Sequence, residues 1–329
     1  MNIYYHLPGL FEFYDLYKAF LPLFREHREY FYDWCEIGSI YGAPSDCIWG
    51  GGRVGFGDAE PRKVAALMHK YGISARLTFS NSLIREEHLA DRKCNKLCEM
   101  FENGADSSTN ETRTFQNVGE MHANQGKTGN PDAEETCAVQ NGIIVHSDLL
   151  LNYIKSKYPN FYFVSSTTKV ITEFEQFKAE LNREEFRYVV PDFRLNKQFD
   201  KLNALSNVQK QKVEFLCNEC CWFGCYDRKK CYENVSQKSL GENCEDHECV
   251  SPTAQRGYRF SDAMKNPGFI GIEDIQNIYA PTEFRHFKIE GRSLGSALIL
   301  EFLLYYMTKP EHQLKVREEI YLDSTLDLF

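Results

Sequence analysis

Short apolar runs alternate with stretches of helical periodicity along the chain. Eight runs are short, rich in aliphatic and aromatic residues, and bounded by polar positions, which is typical of strands. Several are apolar throughout, as expected for strands buried on both faces of a parallel sheet. The eight predicted strands are residues 2–5, 46–49, 75–79, 142–145, 161–165, 186–190, 212–216 and 286–289.

Apolar positions at helical spacing follow most of these runs. The predicted helices are residues 62–70, 83–100, 148–157, 173–181, 196–205 and 293–306. Repeated strand-then-helix units favour a closed (β/α)₈ barrel of the TIM type, with an open doubly wound sheet as the alternative. We therefore expect an α/β fold in which residues 1–329 form one barrel domain.

Two segments interrupt the alternation. Residues 103–141 are rich in Asn, Gly, Ser and Thr and have few large apolar residues, so they are predicted to form a disordered insertion or a lid. Residues 217–285 separate the seventh and eighth predicted strands and contain most of the cysteines. The second insertion is expected on the active-site face, because loops that follow the carboxyl ends of barrel strands build that face.

Composition limits the classes of partner. The net charge of −9 gives the chain no overall field that would collect nucleic acid, so nucleic acid is not the expected partner. No run reaches the roughly 18 apolar residues of a membrane span. The first residues have no basic region followed by an apolar one, which predicts a cytoplasmic protein with reduced thiols.

Seven of the 12 cysteines fall between Cys217 and Cys249, with the spacing C-x2-C-C-x3-C-x5-C-x12-C-x4-C. Thiols this dense in a reducing compartment predict a bound metal. Four thiolates suit tetrahedral zinc or an iron–sulfur cluster, and the spacing does not match the paired knuckles of zinc fingers. The unequal spacing favours a [4Fe–4S] cluster, with a structural zinc or a metal-free set of thiols as alternatives.

Polar residues at the ends of predicted strands form a second candidate site. Glu219 and Asp192 are candidates for proton transfer, His146 is a candidate imidazole, and Arg292 is a candidate clamp for a substrate carboxylate. For each of them a salt bridge or a loop cap is the structural alternative. His6, Asn81, Asn218 and Glu290 belong to the same set.

A glycine cluster follows the second predicted strand. Backbone amides of Gly51 and Gly52, together with Arg53, would suit a phosphate or carboxylate, and a tight loop without a ligand is the alternative. Residues 291–295 match G-x-S-x-G, but the only later histidine precedes the later aspartate, which reverses the order required for that hydrolase triad. The sequence therefore contains no independent protease machinery.

The run VEFLCNECC at 213–221, with Cys225, Arg228, Cys231-Tyr232 and HFKIEGR at 286–292, resembles the collagenase-like peptidases of family U32. In that family a strand ends in Asn-Glu and is followed by a C-x3-C pair and a C-x2-R-x2-H-Y pattern. A strand with the pattern Phe-Lys-Ile/Leu-x-Gly-Arg then closes the barrel. The resemblance covers residues 212–292. Here Cys231 stands where many relatives have His.

The resemblance implies a function beyond peptidase chemistry. Members of the family carry a [4Fe–4S] cluster and take part in oxygen-independent hydroxylation of ubiquinone precursors or RNA bases, with prephenate as oxygen source. It implies Cys221, Cys225, Cys244 and Cys249 as ligands here, with Cys231 and Cys217 as substitutes. It also implies a small-molecule substrate, with or without a carboxylate, and leaves open a hetero-oligomer with a related subunit. A metal-dependent peptidase and a non-catalytic binding module with a structural zinc or cluster are the alternatives.

Overall fold

The computed structural model describes residues 2–51, 57–102, 139–252, 254–256, 259–291 and 294–326. Most of the predicted insertion at 103–141 lies outside the described residues, as do Gly52, Arg53 and Arg292.

Eight parallel strands of the described chain form a nearly closed barrel, as the sequence predicts. They are β1 (Ile3–Pro8), β2 (Cys35–Gly42), β3 (Ala75–Phe79), β4 (Gly142–Val145), β5 (Tyr162–Ser165), β6 (Phe186–Val189), β7 (Glu214–Leu216) and β8 (His286–Lys288). Their order is β6-β5-β4-β3-β2-β1-β8-β7, so β1 and β8 pair directly. An isolated parallel bridge between Val189 and Val213 links β6 to β7 and completes the ring.

Helices connect and flank the strands in the described part of the chain. They are α1 (Tyr14–Glu26), α2 (Pro61–Tyr71), α3 (Arg92–Glu102), α4 (Asp148–Lys157), α5 (Phe174–Leu181), α6 (Phe199–Asn203), α7 (Asn207–Lys212), α8 (Arg228–Ser239), α9 (Phe260–Ala263), α10 (Ile272–Asp274), α11 (Ser296–Met307) and α12 (Gln313–Leu326). None of the helices in the described ranges combines the length and the apolarity that a bilayer span requires.

Local sequence explains where these helices begin and end. The Ser147 side chain accepts a hydrogen bond from the Leu150 amide and caps α4. Pro61 opens α2, where its missing amide hydrogen costs nothing, and Gly72 ends it in the left-handed conformation with φ of 62°.

Two apolar cores result from the alternation of side chains along the strands. The larger core lies between the strands and the helices. The smaller one fills the barrel interior and contains Tyr41, Ile144, Tyr162, Val164, Val190 and Leu216. Each fully buried aliphatic or aromatic side chain in these layers contributes about 1.5–3 kcal/mol of transfer free energy.

The predicted second strand at 46–49 is wrong. Residues 48–50 form a 3₁₀ turn, in which Trp49 is fully buried and its indole Nε1 donates to the His88 carbonyl at 2.8 Å. The second strand is β2, whose apolar run is interrupted by Gly38. A Cβ on Gly38 would lie 2.6 Å from Cε1 of His6, next to a register shift between Tyr5 and His6, so glycine is required there.

The remaining predicted elements agree with the structure to different degrees. The strands at 75–79 and 142–145 and the helix at 148–157 have the observed bounds. The predicted helix at 83–100 is a 3₁₀ turn (Glu86–Ala90) followed by α3, because Asp91 caps a new helix by accepting from the Cys94 amide at 2.8 Å. The predicted helix at 196–205 is reduced to α6. The helices without a predicted counterpart are α1, α7, α8, α9, α10 and α12.

Candidate functional site at the barrel mouth

A buried ionic network lies inside the barrel. Arg76 on β3 donates from Nη1 to Oε2 of Glu214 on β7 at 2.5 Å, and both side chains are almost completely buried. Lys288 Nζ lies 3.7 Å from the other carboxylate oxygen, Oε1. One carboxylate is thus shared by two cations from different walls of the barrel.

The histidines beside this network are held neutral. Burial, with Arg76 and two further neighbours, lowers the pKa of His6 well below its ordinary value. Burial also lowers the pKa of His286 to about 4. For Glu214, burial opposes ionisation, but Arg76 and Lys288 outweigh it and the pKa is lowered. Glu214 therefore carries its charge inside the barrel, whereas the imidazoles do not.

A small cavity lies above the network, at the carboxyl ends of the strands. Its volume is about 30 Å³. Its walls combine hydroxyl groups with two charged side chains, and the lining residues are Tyr41, Thr78, Ser80, Ile144, Ser166, Thr167, Thr168, Leu216, Tyr232, Lys288 and Glu290. This is the end of the barrel at which TIM-type enzymes bind substrates.

The ends of β7 and β8 are tied together beside this cavity. Asn218 Nδ2 donates to the Glu290 carbonyl at 2.9 Å, and the Glu290 amide donates to Asn218 Oδ1 at 2.7 Å. The paired bonds fix the direction in which the chain leaves β7, toward the cysteine-rich segment.

Glu219 holds the first turn of that segment. Its Oε1 accepts from the Cys221 amide at 2.9 Å, and its Oε2 accepts from Nη2 of Arg228, which opens α8. Asp192 lies against the same arginine, with Oδ2 3.7 Å from its Nη1. Arg194 binds Asp192 through two nitrogens and donates from Nη1 to the Cys225 carbonyl at 2.7 Å.

The two carboxylates predicted for proton transfer, Glu219 and Asp192, therefore both bind arginines that position the cysteine loop. They are 4% and 0% exposed. Their role in proton transfer stays a prediction.

His146 lies at the end of β4, beside the hydroxyls of the mouth cavity. Its Nδ1 is 2.9 Å from Oγ1 of Thr168, which itself lines the cavity. Burial, together with nearby lysines, lowers the pKa of His146 to about 4. The ring is thus neutral near pH 7.

The structure brings together two of the four predicted metal ligands. The Cys221 thiol is hydrogen-bonded to that of Cys225, and burial raises the pKa of Cys221. Cys244 lies beside Asn234 of α8, whose Nδ2 is 3.5 Å from the sulfur, and Cys249 is exposed. No disulfide joins any of the cysteines in the described ranges.

The substitute ligands lie on either side of this pair. Cys231 is half-buried on α8, and Cys217 is fully buried at the end of β7, where burial raises the pKa of its thiol. The predicted ligand set stays a prediction.

A different donor group is assembled at the mouth. Within the described part of the chain, one set of three metal-donor side chains has its ligand atoms within 4.8 Å of one another: Glu219, Cys220 and Glu290. Glu219 and Cys220 also line a groove of about 510 Å³, which continues along Trp222 and Arg259. Because Glu290 lines the mouth cavity, these three residues join the cavity to the wider groove.

Of the three residues predicted to bind an anion, Gly51 lies in the described part of the chain and Gly52 and Arg53 do not. Gly51 has φ of 78°, and a Cβ there would lie 3.4 Å from the Asn81 amide nitrogen, so the tight turn itself explains the glycine. Anion binding by Gly51, Gly52 and Arg53 stays a prediction, as does substrate binding by Arg292.

Several residues of the site are missing from the sequence-based set. They are Arg76, Thr78, Glu214, Arg228 as a positioning residue, and Lys288. Arg76, Glu214 and Lys288 are charged residues within short apolar strands, where a polar side chain faces either solvent or the barrel interior. A charged residue within an apolar strand was therefore the available sequence signal. Only the closed barrel shows that these three side chains face its interior.

No protein-family model matches the chain, and no curated protein sequence matches it. Among solved structures, the U32 peptidase Mk0906 is similar in fold, with a TM-score of 0.46 and 12% sequence identity over 88% of this chain and 92% of that one. A likeness at this level transfers no function to this chain.

Proposed function

We propose that this chain is an iron–sulfur enzyme that hydroxylates or otherwise modifies a small molecule or an RNA base without molecular oxygen, at the mouth of the barrel. The main support is the attachment of the cysteine loop to the mouth. Glu219 accepts a hydrogen bond from the Cys221 amide. Its carboxylate also lies within 4.8 Å of that of Glu290, which lines the cavity. The hydroxylation part rests on the resemblance of residues 212–292 to the U32 family.

The donor chemistry of this loop fits a cluster. Thiolates are the ligands that iron–sulfur clusters take, and the Cys221 and Cys225 thiols already contact one another. Cys244 and Cys249 would supply the other two ligands, with Cys231 or Cys217 as substitutes. When bound, a [4Fe–4S] cluster would supply one-electron transfer or an iron that binds substrate.

The protein residues would bind the substrate and orient it. Lys288 and the hydroxyls of the cavity would orient a polar group. Neutral His146 would hold Thr168, and with it the hydroxyl lining of the cavity, through the contact of its Nδ1 with Thr168 Oγ1. Glu219 and Arg228 would keep the cysteine loop against the mouth. The groove along Trp222 would admit the larger part of the substrate.

Metal analysis tests this proposal. The protein would be purified without oxygen, and its iron, sulfide and zinc measured with a visible absorption spectrum. About four irons and four sulfides per chain, with a broad band that bleaches on reduction, are expected. A colourless protein with stoichiometric zinc would overturn the iron–sulfur proposal.

A metal-dependent peptidase is the second candidate, supported by the Glu219, Cys220 and Glu290 group. Carboxylate and thiolate ligands suit zinc, and a site with three protein ligands leaves a position open for a water nucleophile. Zinc-dependent cleavage of unstructured peptides, lost in Glu290→Gln and in Cys220→Ala, would favour this candidate. Absence of cleavage in zinc-loaded protein would exclude it.

A further inference from the structure

Two hydroxyl groups of the mouth cavity have no hydrogen-bond partner among the described residues. They are Oγ1 of Thr78 on β3 and Oγ1 of Thr167, which follows β5. Thr78 is only 3% exposed, and both residues line the cavity. A buried hydroxyl without a partner destabilises the folded protein, so its presence indicates a ligand or ordered water.

The neighbouring hydroxyls are satisfied by one another. Ser80 Oγ lies 3.0 Å from Ser166 Oγ, and Thr168 Oγ1 donates to Ser166 Oγ at 2.9 Å. The hydroxyls of Ser80, Ser166 and Thr168 therefore already have partners within the protein. The Thr78 and Thr167 hydroxyls differ from these neighbours, because each can donate a hydrogen bond to a group inside the cavity.

Lys288 gives the cavity a positive charge at its base. The side chain is 5% exposed, and Nζ lies 3.7 Å from Glu214 Oε1 and 3.7 Å from the centre of the Tyr41 ring. Glu214 is also bound by Arg76 at 2.5 Å, so its charge is divided between two cations. An anionic group in the cavity would interact favourably with Lys288.

Glu290, which also lines the cavity, has a contact on the other side. Its Oε2 lies 3.4 Å from the Cys220 amide nitrogen, and it belongs to the donor group with Glu219. Its carboxylate is thus engaged at the cysteine loop. Glu290 therefore connects the lining of the cavity to the cysteine loop.

The size of the cavity restricts the ligand group. A water-sized position needs about 10–15 Å³ of this kind of volume. The observed volume of about 30 Å³ accordingly holds about two such positions. Two oxygens of one planar carboxylate match this space, whereas a sugar ring does not.

We propose that this cavity binds the carboxylate of a small-molecule ligand, with Lys288 supplying the charge and the Thr78 and Thr167 hydroxyls donating hydrogen bonds to its oxygens. The proposal rests on the proposed function for placing a substrate at the mouth, and it adds the chemical class of the group held there. It requires neither Arg53 nor Arg292.

Acetate is the probe, and acetamide is its neutral control of the same shape. Ligand-observed NMR titration would measure the binding of each to the intact protein. Acetate is expected to bind with Kd on the order of millimolar, because a ligand of four heavy atoms has little contact area. Acetamide should bind at least about 10-fold more weakly, since it cannot pair with the ammonium group.

Thr78→Val is the decisive variant because it removes the hydroxyl and preserves the shape. Acetate affinity should fall about 5-fold or more, while the melting temperature stays the same or rises, since the lost hydroxyl had no protein partner. Thr308→Val is the matched control. Thr308 is fully buried, and its Oγ1 donates to the Leu303 carbonyl at 3.4 Å. It should lose stability without losing acetate affinity.

Equal binding of acetate and acetamide, or unchanged acetate affinity in Thr78→Val, would overturn the proposal and leave ordered water in the cavity. Lys288→Met should abolish the preference for acetate over acetamide if it folds. Diglycine and its amide distinguish the source of the carboxylate: diglycine competing with acetate, while its amide does not, would show that a peptide end fits. Failure of diglycine to compete would restrict the site to small metabolites.

Cys221→Ala separates this proposal from the iron–sulfur function. Acetate binding that persists in this variant, together with loss of iron, would support both proposals. Thr78→Val should lose acetate binding and keep its cluster. That result would support the carboxylate site without testing the iron–sulfur function. An iron-free wild-type protein that still prefers acetate would remove the iron–sulfur function and keep the carboxylate site.

Discussion

Arg76 and Glu214 form an ion pair across the inside of the barrel, 138 residues apart in sequence, with Nη1 and Oε2 separated by 2.5 Å. The relative exposures of the two side chains are 1% and 0%. The pair connects β3 to β7, the strand that joins its neighbour β6 through an isolated bridge. It therefore stabilises the part of the barrel with the fewest backbone hydrogen bonds.

Breaking this pair should strongly destabilise the protein. Arg76→Met leaves a buried carboxylate with less compensation, and Glu214→Gln leaves a buried guanidinium. Each is expected to reduce the free energy of unfolding by about 3–5 kcal/mol, measured by urea denaturation. The double variant Arg76→Met/Glu214→Leu should recover part of this loss, because it removes both charges.

A surface ion pair provides the control for that measurement. Lys315 and Glu319 lie one turn apart on α12 and are 55% and 35% exposed. Glu319→Gln should change the free energy of unfolding by less than about 0.5 kcal/mol. A small effect at Glu214, comparable to that at Glu319, would contradict the stabilising role of the buried pair.

The buried imidazoles should make stability fall in mild acid. The pKa of His286 is lowered from 6.5 to about 4, chiefly by burial. Below pH 6.5 the unfolded chain therefore binds a proton at His286 that the folded chain does not. Protonation then favours the unfolded state, and the free energy of unfolding falls progressively down to about pH 4. The loss for this one group is up to about 3 kcal/mol.

The change of stability with pH in a variant isolates this effect. His286→Gln should show a shallower fall in unfolding free energy between pH 6.5 and 4 than the wild type does. His69→Gln, at an exposed position of α2, should keep the wild-type slope. Parallel curves for wild type and His286→Gln would show that His286 is not held neutral by the fold.

Arg228 should control access to the Cys225 thiol. It binds Glu219 and lies near Asp192, and this network contacts the Cys225 carbonyl through Arg194. Arg228→Met should release the loop and speed alkylation of Cys225, which is only 6% exposed in the intact protein. Mass spectrometry after timed labelling would measure the rate.

Lys230→Met is the matched control on the same helix. The Lys230 side chain is 73% exposed and its ammonium pairs with Asp227, so its loss should leave the labelling rate of Cys225 unchanged. Equal acceleration in both variants would indicate general loosening of α8 instead of a specific role for Arg228.

The barrel was predictable from sequence because its strands are short apolar runs with few alternatives. Ala75–Phe79 and Gly142–Val145 are buried along their whole length, as expected for strands of a parallel sheet that is covered on both faces. β2 was not predictable in the same way. Gly38 interrupts its apolar pattern for a tertiary reason, the close approach of His6, which no local window contains.

The candidate site was predictable in its location and less so in its residues. The cysteine spacing and the Asn218-Glu219 sequence identify the mouth at β7. Arg76 and Glu214 are single charges in apolar strands, and their pairing depends on the register of strands far apart in sequence. The sequence could not identify Thr78 as a site residue. It stands out because its Oγ1 has no hydrogen-bond partner within the described structure, which only the folded arrangement shows.

Removal of either contacting thiol should abolish cluster loading. Cys221→Ala and Cys225→Ala each leave three of the four predicted ligands, and protein purified without oxygen should contain less than about one tenth of the wild-type iron and sulfide. Cys35→Ala is the control, because Cys35 is fully buried on β2 and should not alter iron content. Full iron in both loop variants would move the ligands to Cys217, Cys220 or Cys231. Loss of iron in Cys35→Ala as well would indicate that cluster loading reports the stability of the fold, since a buried core thiol affects packing and not coordination.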